Sequence, residues 1–195
     1  MNIFPLHCAD LYKTGHLRMY PEGTEYVYSN FTPRSNRLAN MLPDFDNKVV
    51  FFGLQGTIQE YLIEIWNKGF FNMKKHQAVH RFRRRMNMAL GEDAVSIDHI
   101  EALHNLGFLP LHIKALPEGS RVDIGTPLFT IVNTHPEFYW LTNYIESALS
   151  AESWKSITVA TIASEYRKLL DRYAIKTGSP ADFVPWQGHD FSFRG

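Results

Sequence analysis

Residues 186–195 read Trp-Gln-Gly-His-Asp-Phe-Ser-Phe-Arg-Gly and pair an aromatic face with a guanidinium. Phe191 and Phe193 alternate with Asp190, Ser192 and Arg194, the period of a strand with one buried face. A ring gives a stacking surface, and an arginine gives a planar fork that suits a phosphate or an amide oxygen, so Phe191 and Arg194 can hold a flat, anionic ligand. The same alternation also describes an aromatic strand with a solvent-facing arginine.

Other residues have the types that do chemistry. Asp10-Leu11-Tyr12-Lys13 carries polar groups that burial does not explain, and Arg34-Ser35-Asn36-Arg37 is a small cationic, hydroxyl-bearing cluster that reads as a solvated loop or an anion site. His76 and His80 stand one helical turn apart, but no glutamate lies between them and arginines surround them, which argues against a metal. Arg81, Arg83, Arg84 and Arg85 form a basic run. With twenty Lys and Arg balanced by twenty Asp and Glu the chain has no overall basic field, so the run reads as a solvated helix face and not a nucleic-acid site.

The elements that must position these groups come from a chain of 195 residues, 45 % hydrophobic and 14 % aromatic, a globular composition. A single cysteine, Cys8, excludes an internal disulfide and fits a reducing compartment. Asp10, Lys13, His16 and Arg18 make the first twenty residues neither a secretory signal nor a membrane span, and the expected location is cytoplasmic.

Residues 26–31 predict a strand after the Pro21-Glu22-Gly23 turn. Residues 49–52 are an apolar run ended by Gly53, and Thr57-x-x-Glu60 has the form of a capping box opening a helix that Gly69 ends. A second helix is expected over residues 75–90, burying Val79, Phe82, Met86 and Leu90, and a third over 96–106, with His99 and His104 at the surface. From Leu109 the period becomes two, and the Pro117-Glu118-Gly119 and Gly125-Thr126-Pro127 turns make a small antiparallel sheet of successive strands. Two helices follow: one with Pro136 near its start, burying residues from Leu141 to Leu149, and one over 158–176 with Val159, Ile162, Tyr166, Leu169 and Tyr173 inside. The fold class is therefore α+β over residues 1–180, including a helical pair at 136–178, with residues 181–195 as the first strand of a truncated α/β barrel.

Seven stretches in order resemble the nicotinamide phosphoribosyltransferase family. They are Asp10-Leu11-Tyr12-Lys13 with His16 and Tyr20-Pro21; Val50-Phe51-Phe52-Gly53-Leu54-Gln55; Pro117-Glu118-Gly119; Asn133-Thr134 with Pro136-Glu137; Tyr139-Trp140-Leu141-Thr142-Asn143; Ile157-Thr158-Val159-Ala160-Thr161; and His189-Asp190-Phe191 with Arg194-Gly195. The resemblance implies a homodimeric pentosyltransferase with a type II phosphoribosyltransferase barrel, acting with magnesium and ATP. It would move phosphoribosyl from phosphoribosyl pyrophosphate to nicotinamide, giving nicotinamide mononucleotide for NAD synthesis.

It also implies roles for single residues. Phe191 would stack on one face of nicotinamide and Tyr12, from the second subunit, on the other. Arg194 would contact the nicotinamide side or the product phosphate, Arg34 would hold pyrophosphate from the partner subunit, and Asp10 would bind the base or orient Tyr12. Lys155-Ser156 stands where many members have Tyr-Pro. Family members run more than twice as far, so the resemblance leaves metal ligands and catalytic groups outside this chain and implies that the chain alone is inactive. Two other readings are a non-catalytic module that dimerises and regulates a complete enzyme, and part of a nicotinate-specific relative.

Overall fold

A computed structural model describes residues 3–37, 39, 42 and 44–189. In chain order its elements are α1 (Lys13–His16), β1 (Tyr28–Phe31), β2 (Lys48–Val50), α2 (Leu54–Thr57), α3 (Lys75–Leu90), α4 (Asp98–Leu106), β3 (Leu111–Ala115), β4 (Arg121–Asp123), β5 (Phe129–Asn133), α5 (Leu141–Tyr144) and α6 (Glu146–Thr177). Helices and small antiparallel sheets are thus mixed along the chain, as the pattern predicts.

Two compact units form. The first contains the described residues up to Phe31, then 53–115 and 129–153; the second contains 32–52, 116–128 and the described residues from Trp154 onward. The first eight residues of α6 belong to the first unit and the remainder to the second.

In the first unit β5 is the centre of a three-stranded antiparallel sheet, with β1 on one edge and β3 on the other. Phe129, Ile131 and Asn133 alternate inward along β5, and Ile131 faces Ser29 on one neighbour and Ile113 on the other. The second unit holds the two-stranded pair β2–β4, in which Lys48 stands opposite Asp123 and bonds to it at 2.9 Å. The expected sheet of successive strands is corrected here: β4 leaves β3 and β5 and pairs with β2, far earlier in the chain.

Several helix readings also change. α2 begins directly after Gly53, whose φ of 97° is the left-handed conformation that glycine adopts at low cost. The helix continues as wide π-type turns, Ile58–Ile65 and Asn67–Phe71, closed by bonds such as Asn72 N–H to the Asn67 carbonyl at 2.9 Å. Thr57 therefore lies inside the helix and not at its cap, and its hydroxyl donates back to the Gly53 carbonyl at 3.2 Å. Gly69 does not end the helix either. A Cβ there would sit 2.2 Å from the Ile3 carbonyl oxygen, so its reason is close chain approach.

α3 spans the expected residues and buries Val79, Phe82 and Met86, but Leu90, at its last turn, is exposed. His99 and His104 are not surface residues. His99 packs edge-on against Phe82 and Trp140, and His104 packs on Phe70 with Nε2 3.0 Å from the Met73 carbonyl.

The two expected C-terminal helices are instead the short α5 and one helix, α6, of 32 residues. Its buried positions are Leu149, Ser153, Ile157, Thr161, Glu165 and Ala174, whereas Val159, Ile162, Tyr166 and Tyr173 are exposed. Hydrogen bonds hold the Thr161 hydroxyl and ion pairs to Arg121 and Lys168 offset the charge of the Glu165 carboxylate, which lets that face turn inward in place of the more apolar one. Residues Ala181–Trp186 form a 3-10 helix, and Gln187, Gly188 and His189 belong to no strand. The expected strand at 186–194 otherwise lies outside the described residues, as do Phe191 and Arg194.

Candidate functional site

In the first unit the segment from Asp10 to Tyr20 is tied to the segment from Tyr139 to Ser147. α1 is a single turn and too short to be stable by itself, so its place is fixed by side chains. Ser147 Oγ accepts from the Asp10 backbone N–H at 3.0 Å and donates to Asp10 Oδ2 at 2.6 Å. Lys13, with its side chain 2 % exposed, donates to Asn143 Oδ1 at 2.8 Å and pairs with the Glu146 carboxylate. A buried ammonium needs such partners to offset its lost hydration.

Asn143 also donates from Nδ2 to His16 Nδ1 at 2.8 Å and to Tyr20 Oη at 3.3 Å. Tyr20 in turn meets the edge of Tyr139, ring centroids 5.3 Å apart. Deeper in the unit, Tyr144 Oη donates to the Leu6 carbonyl at 2.7 Å, and burial pushes this phenol well above its ordinary range.

Tyr12 is the product of this framework. It is 63 % exposed, with its ring 5.2 Å from the His16 ring and tilted 52° to it, and with Lys13 Nζ 5.5 Å from its centroid. An aromatic face presented to solvent on a rigidly bonded segment is a stacking platform. Of the residues singled out from the sequence, the structure brings Asp10 and Tyr12 together here. Sequence reasoning did not assign the supporting partners His16, Asn143, Glu146 and Ser147. Asn143 and His16 did stand in the resembling motifs, and their polar types on otherwise apolar segments were the available signal.

Arg34 lies in the second unit and is exposed; among the described residues it has no ion pair. The preceding Pro33 is fixed by its carbonyl, which accepts from Gly125 N–H at 2.9 Å. The same unit carries an ionic cluster absent from the sequence reading. Arg121 bonds Asp46 at 2.6 Å, Lys168 is ion-paired with Glu165 at 2.6 Å, and the cross distances, Arg121 to Glu165 and Lys168 to Asp46, are 3.6 and 3.5 Å. Desolvation would raise the Asp46 pKa, but Arg121 and the Lys48 N–H bond outweigh it and hold the carboxyl below its ordinary range. With every acid matched to a base, this cluster is a structural tie.

Among the described residues no group of three His, Cys, Asp or Glu side chains is placed to hold a metal ion, and His76 and His80 are both exposed on α3. The described residues therefore supply no set of ligands for the magnesium that the resemblance implies. Nor is any helix among them long and apolar enough to cross a membrane.

Residues 5–113 match the family described as nicotinamide phosphoribosyltransferase, N-terminal domain, which covers more than half of the chain. The chain belongs to this family. It is 65 % identical over 193 residues to a nicotinamide phosphoribosyltransferase of Acinetobacter baylyi, covering 99 % of this chain and 38 % of that protein. It is 32 % identical to one of Mycoplasma genitalium, covering 97 % of this chain and 44 % of that protein. The chain thus spans less than half the length of these nicotinamide phosphoribosyltransferase relatives. A crystal structure of human nicotinic acid phosphoribosyltransferase shares the fold, with a TM-score of 0.56 and 19 % identity over 83 % of this chain and 28 % of that one.

Proposed function

We propose that this chain forms the N-terminal part of a nicotinamide phosphoribosyltransferase, which transfers phosphoribosyl from phosphoribosyl pyrophosphate to the ring nitrogen of nicotinamide, releasing pyrophosphate. The observation that carries the proposal is the exposed Tyr12 ring, held on a bonded framework in a chain of this family. Such a reaction passes through an oxocarbenium-like centre, so the protein's main tasks are to hold a flat nucleophile in line and to stabilise departing pyrophosphate. Tyr12 stacks on one face of the base, reaching into the site of a second subunit of a homodimer. Asp10 orients Tyr12, a role supported by its two bonds to Ser147. Arg34, exposed and without a carboxylate partner among the described residues, holds pyrophosphate oxygens by charge-assisted hydrogen bonds.

Phe191 and Arg194 complete the base and phosphate contacts in this reading, and the complete protein carries an α/β barrel of the type II phosphoribosyltransferase kind. Magnesium and ATP belong to the reaction through groups not assigned in this chain. The protein acts in the cytoplasm, in NAD synthesis. The test is nicotinamide mononucleotide formation from nicotinamide and phosphoribosyl pyrophosphate, with magnesium and ATP, by the native protein expressed from its complete reading frame. Product is expected with nicotinamide; product only with nicotinate reassigns the base, and none with either overturns the proposal.

A further inference from the structure

The side chain of Asn143 touches both neighbours of the Tyr12 ring. Its carbonyl oxygen accepts from Lys13 Nζ at 2.8 Å, and Lys13 Nζ lies 5.5 Å from the Tyr12 centroid; its amide nitrogen lies 2.8 Å from His16 Nδ1, and the His16 ring packs on Tyr12 at 5.2 Å. These contacts leave no freedom in the amide's direction. An ammonium only donates, so the carbonyl must face Lys13 and the NH2 must face His16. An NH2 also only donates, so His16 Nδ1 must accept and its ring proton must sit on Nε2. Turning the imidazole over would place a carbon where the acceptor is needed.

We propose that Asn143 is a positioning residue: by fixing the tautomer and orientation of His16 and the place of Lys13, it sets the plane of the Tyr12 ring against which a flat heteroaromatic base stacks. The proposal rests on the reading of Tyr12 given above. The remaining contacts agree with it. Among the described residues the Tyr12 hydroxyl makes no hydrogen bond, so His16 and Lys13 are what hold the ring. Tyr20 Oη is the second partner of the Asn143 NH2, at 3.3 Å, so both amide protons have acceptors and the group is held from three sides.

Two measurements test it. Nitrogen-15 NMR of the histidines in the 195-residue chain should show His16 protonated on Nε2 with a bare Nδ1. Asn143→Asp, which offers only acceptors, should move the proton to Nδ1 while keeping the Lys13 bond. A wild-type proton on Nδ1 overturns the proposal.

The second is kinetics of the native protein. Asn143→Ala and His16→Ala should each raise the KM for nicotinamide by about 3- to 10-fold, and together by no more than either alone, because they act through one chain of contacts. The KM for phosphoribosyl pyrophosphate should stay within about twofold. Asn143→Asp, where the Ala variant fails to fold, should show a smaller rise. Additive losses spread over kcat and both KM values would mark a merely structural residue and overturn the proposal. An unchanged nicotinamide KM in Tyr12→Ala would overturn the stacking role and the positioning role together. A raised KM in Tyr12→Ala with no change in the Asn143 and His16 variants would overturn the positioning role alone.

Discussion

Thr161 Oγ1 accepts from the Val50 backbone N–H at 2.9 Å and donates to the Ile157 carbonyl, one turn back in α6, at 2.7 Å. One buried hydroxyl thus joins the helix to β2 and satisfies a strand amide. Thr161→Val keeps the volume but leaves that N–H without its acceptor, which should cost about 1–3 kcal/mol, and Thr161→Ser should cost clearly less. Urea unfolding of the two variants gives the comparison. A loss in Thr161→Ser with none in Thr161→Val would place the threonine's value in its methyl group and not in its hydroxyl.

Gly69 gives a second prediction. It is buried in π-helical turns, and the chain entering from Ile3 to Pro5 passes directly over it: an added Cβ would lie 2.2 Å from the Ile3 carbonyl oxygen and 2.9 Å from the Pro5 ring. Backbone cannot step aside as a flexible side chain can. Gly69→Ala should therefore destabilise by about 1–3 kcal/mol, the usual cost of overpacking, even though alanine favours a helix. A thermal midpoint equal to or above wild type would show that the N-terminal segment moves away without loss.

These two residues also show what the sequence makes legible. Apolar spacing located α3 to the residue, because its inward positions Val79, Phe82 and Met86 follow one helical stripe. It misplaced the inner face of α6, because Thr161 and Glu165 are buried with partners in β2 and β4, which lie far away in sequence. Gly69 looked like a helix end because a glycine's local meaning is a stop, while close approach of Ile3 is a tertiary fact. In the candidate site Asp10 and Tyr12 were visible from their types and from the family motifs. Asn143 and Ser147 were not, since their roles arise only when α1 is brought against α5 and α6.

His99 predicts a pH dependence. Burial among Phe82, Trp140 and their neighbours pushes its pKa down from 6.5 to about 4, against a smaller opposing effect of Asp98. The folded state thus keeps this imidazole neutral while the unfolded chain takes up a proton first as pH falls. Stability is full above pH 6.5 and is lost between 6.5 and about 4, by up to about 3 kcal/mol from this group. His99→Phe, which retains an aromatic ring at the site, should remove that part of the decline. The check is the change in urea midpoint between pH 7.5 and pH 5 for the two proteins. Parallel declines would assign the acid sensitivity to carboxylates such as Asp46, whose lowered pKa contributes stability that is lost as pH falls through its folded value.

The last prediction concerns Tyr12. Its ring is 63 % exposed and contributes little to the core, so its removal should leave the fold intact, with thermal midpoints close to wild type. If the ring stacks on nicotinamide, Tyr12→Ala in the native protein should raise the nicotinamide KM by an amount corresponding to about 1–3 kcal/mol, the range for a base on an aromatic side chain. Tyr12→Phe should keep most of the affinity, because the stacking surface remains and the hydroxyl has no hydrogen bond among the described residues. The Ala and Phe variants therefore separate stacking from a role of the phenol oxygen. A large loss in both would assign the function to that oxygen, and no loss in either would return Tyr12 to an ordinary exposed aromatic. Because the ring would act in the site of a second subunit, mixing Tyr12→Ala protomers with Arg34→Ala protomers supplies a further check. If Tyr12 and Arg34 both reach the same partner site from one protomer, each site of a mixed dimer lacks one of the two residues. Activity of the mixture should then stay as low as that of the parents, whereas recovery on mixing would show that the two residues reach a site from different protomers and overturn that part of the reading.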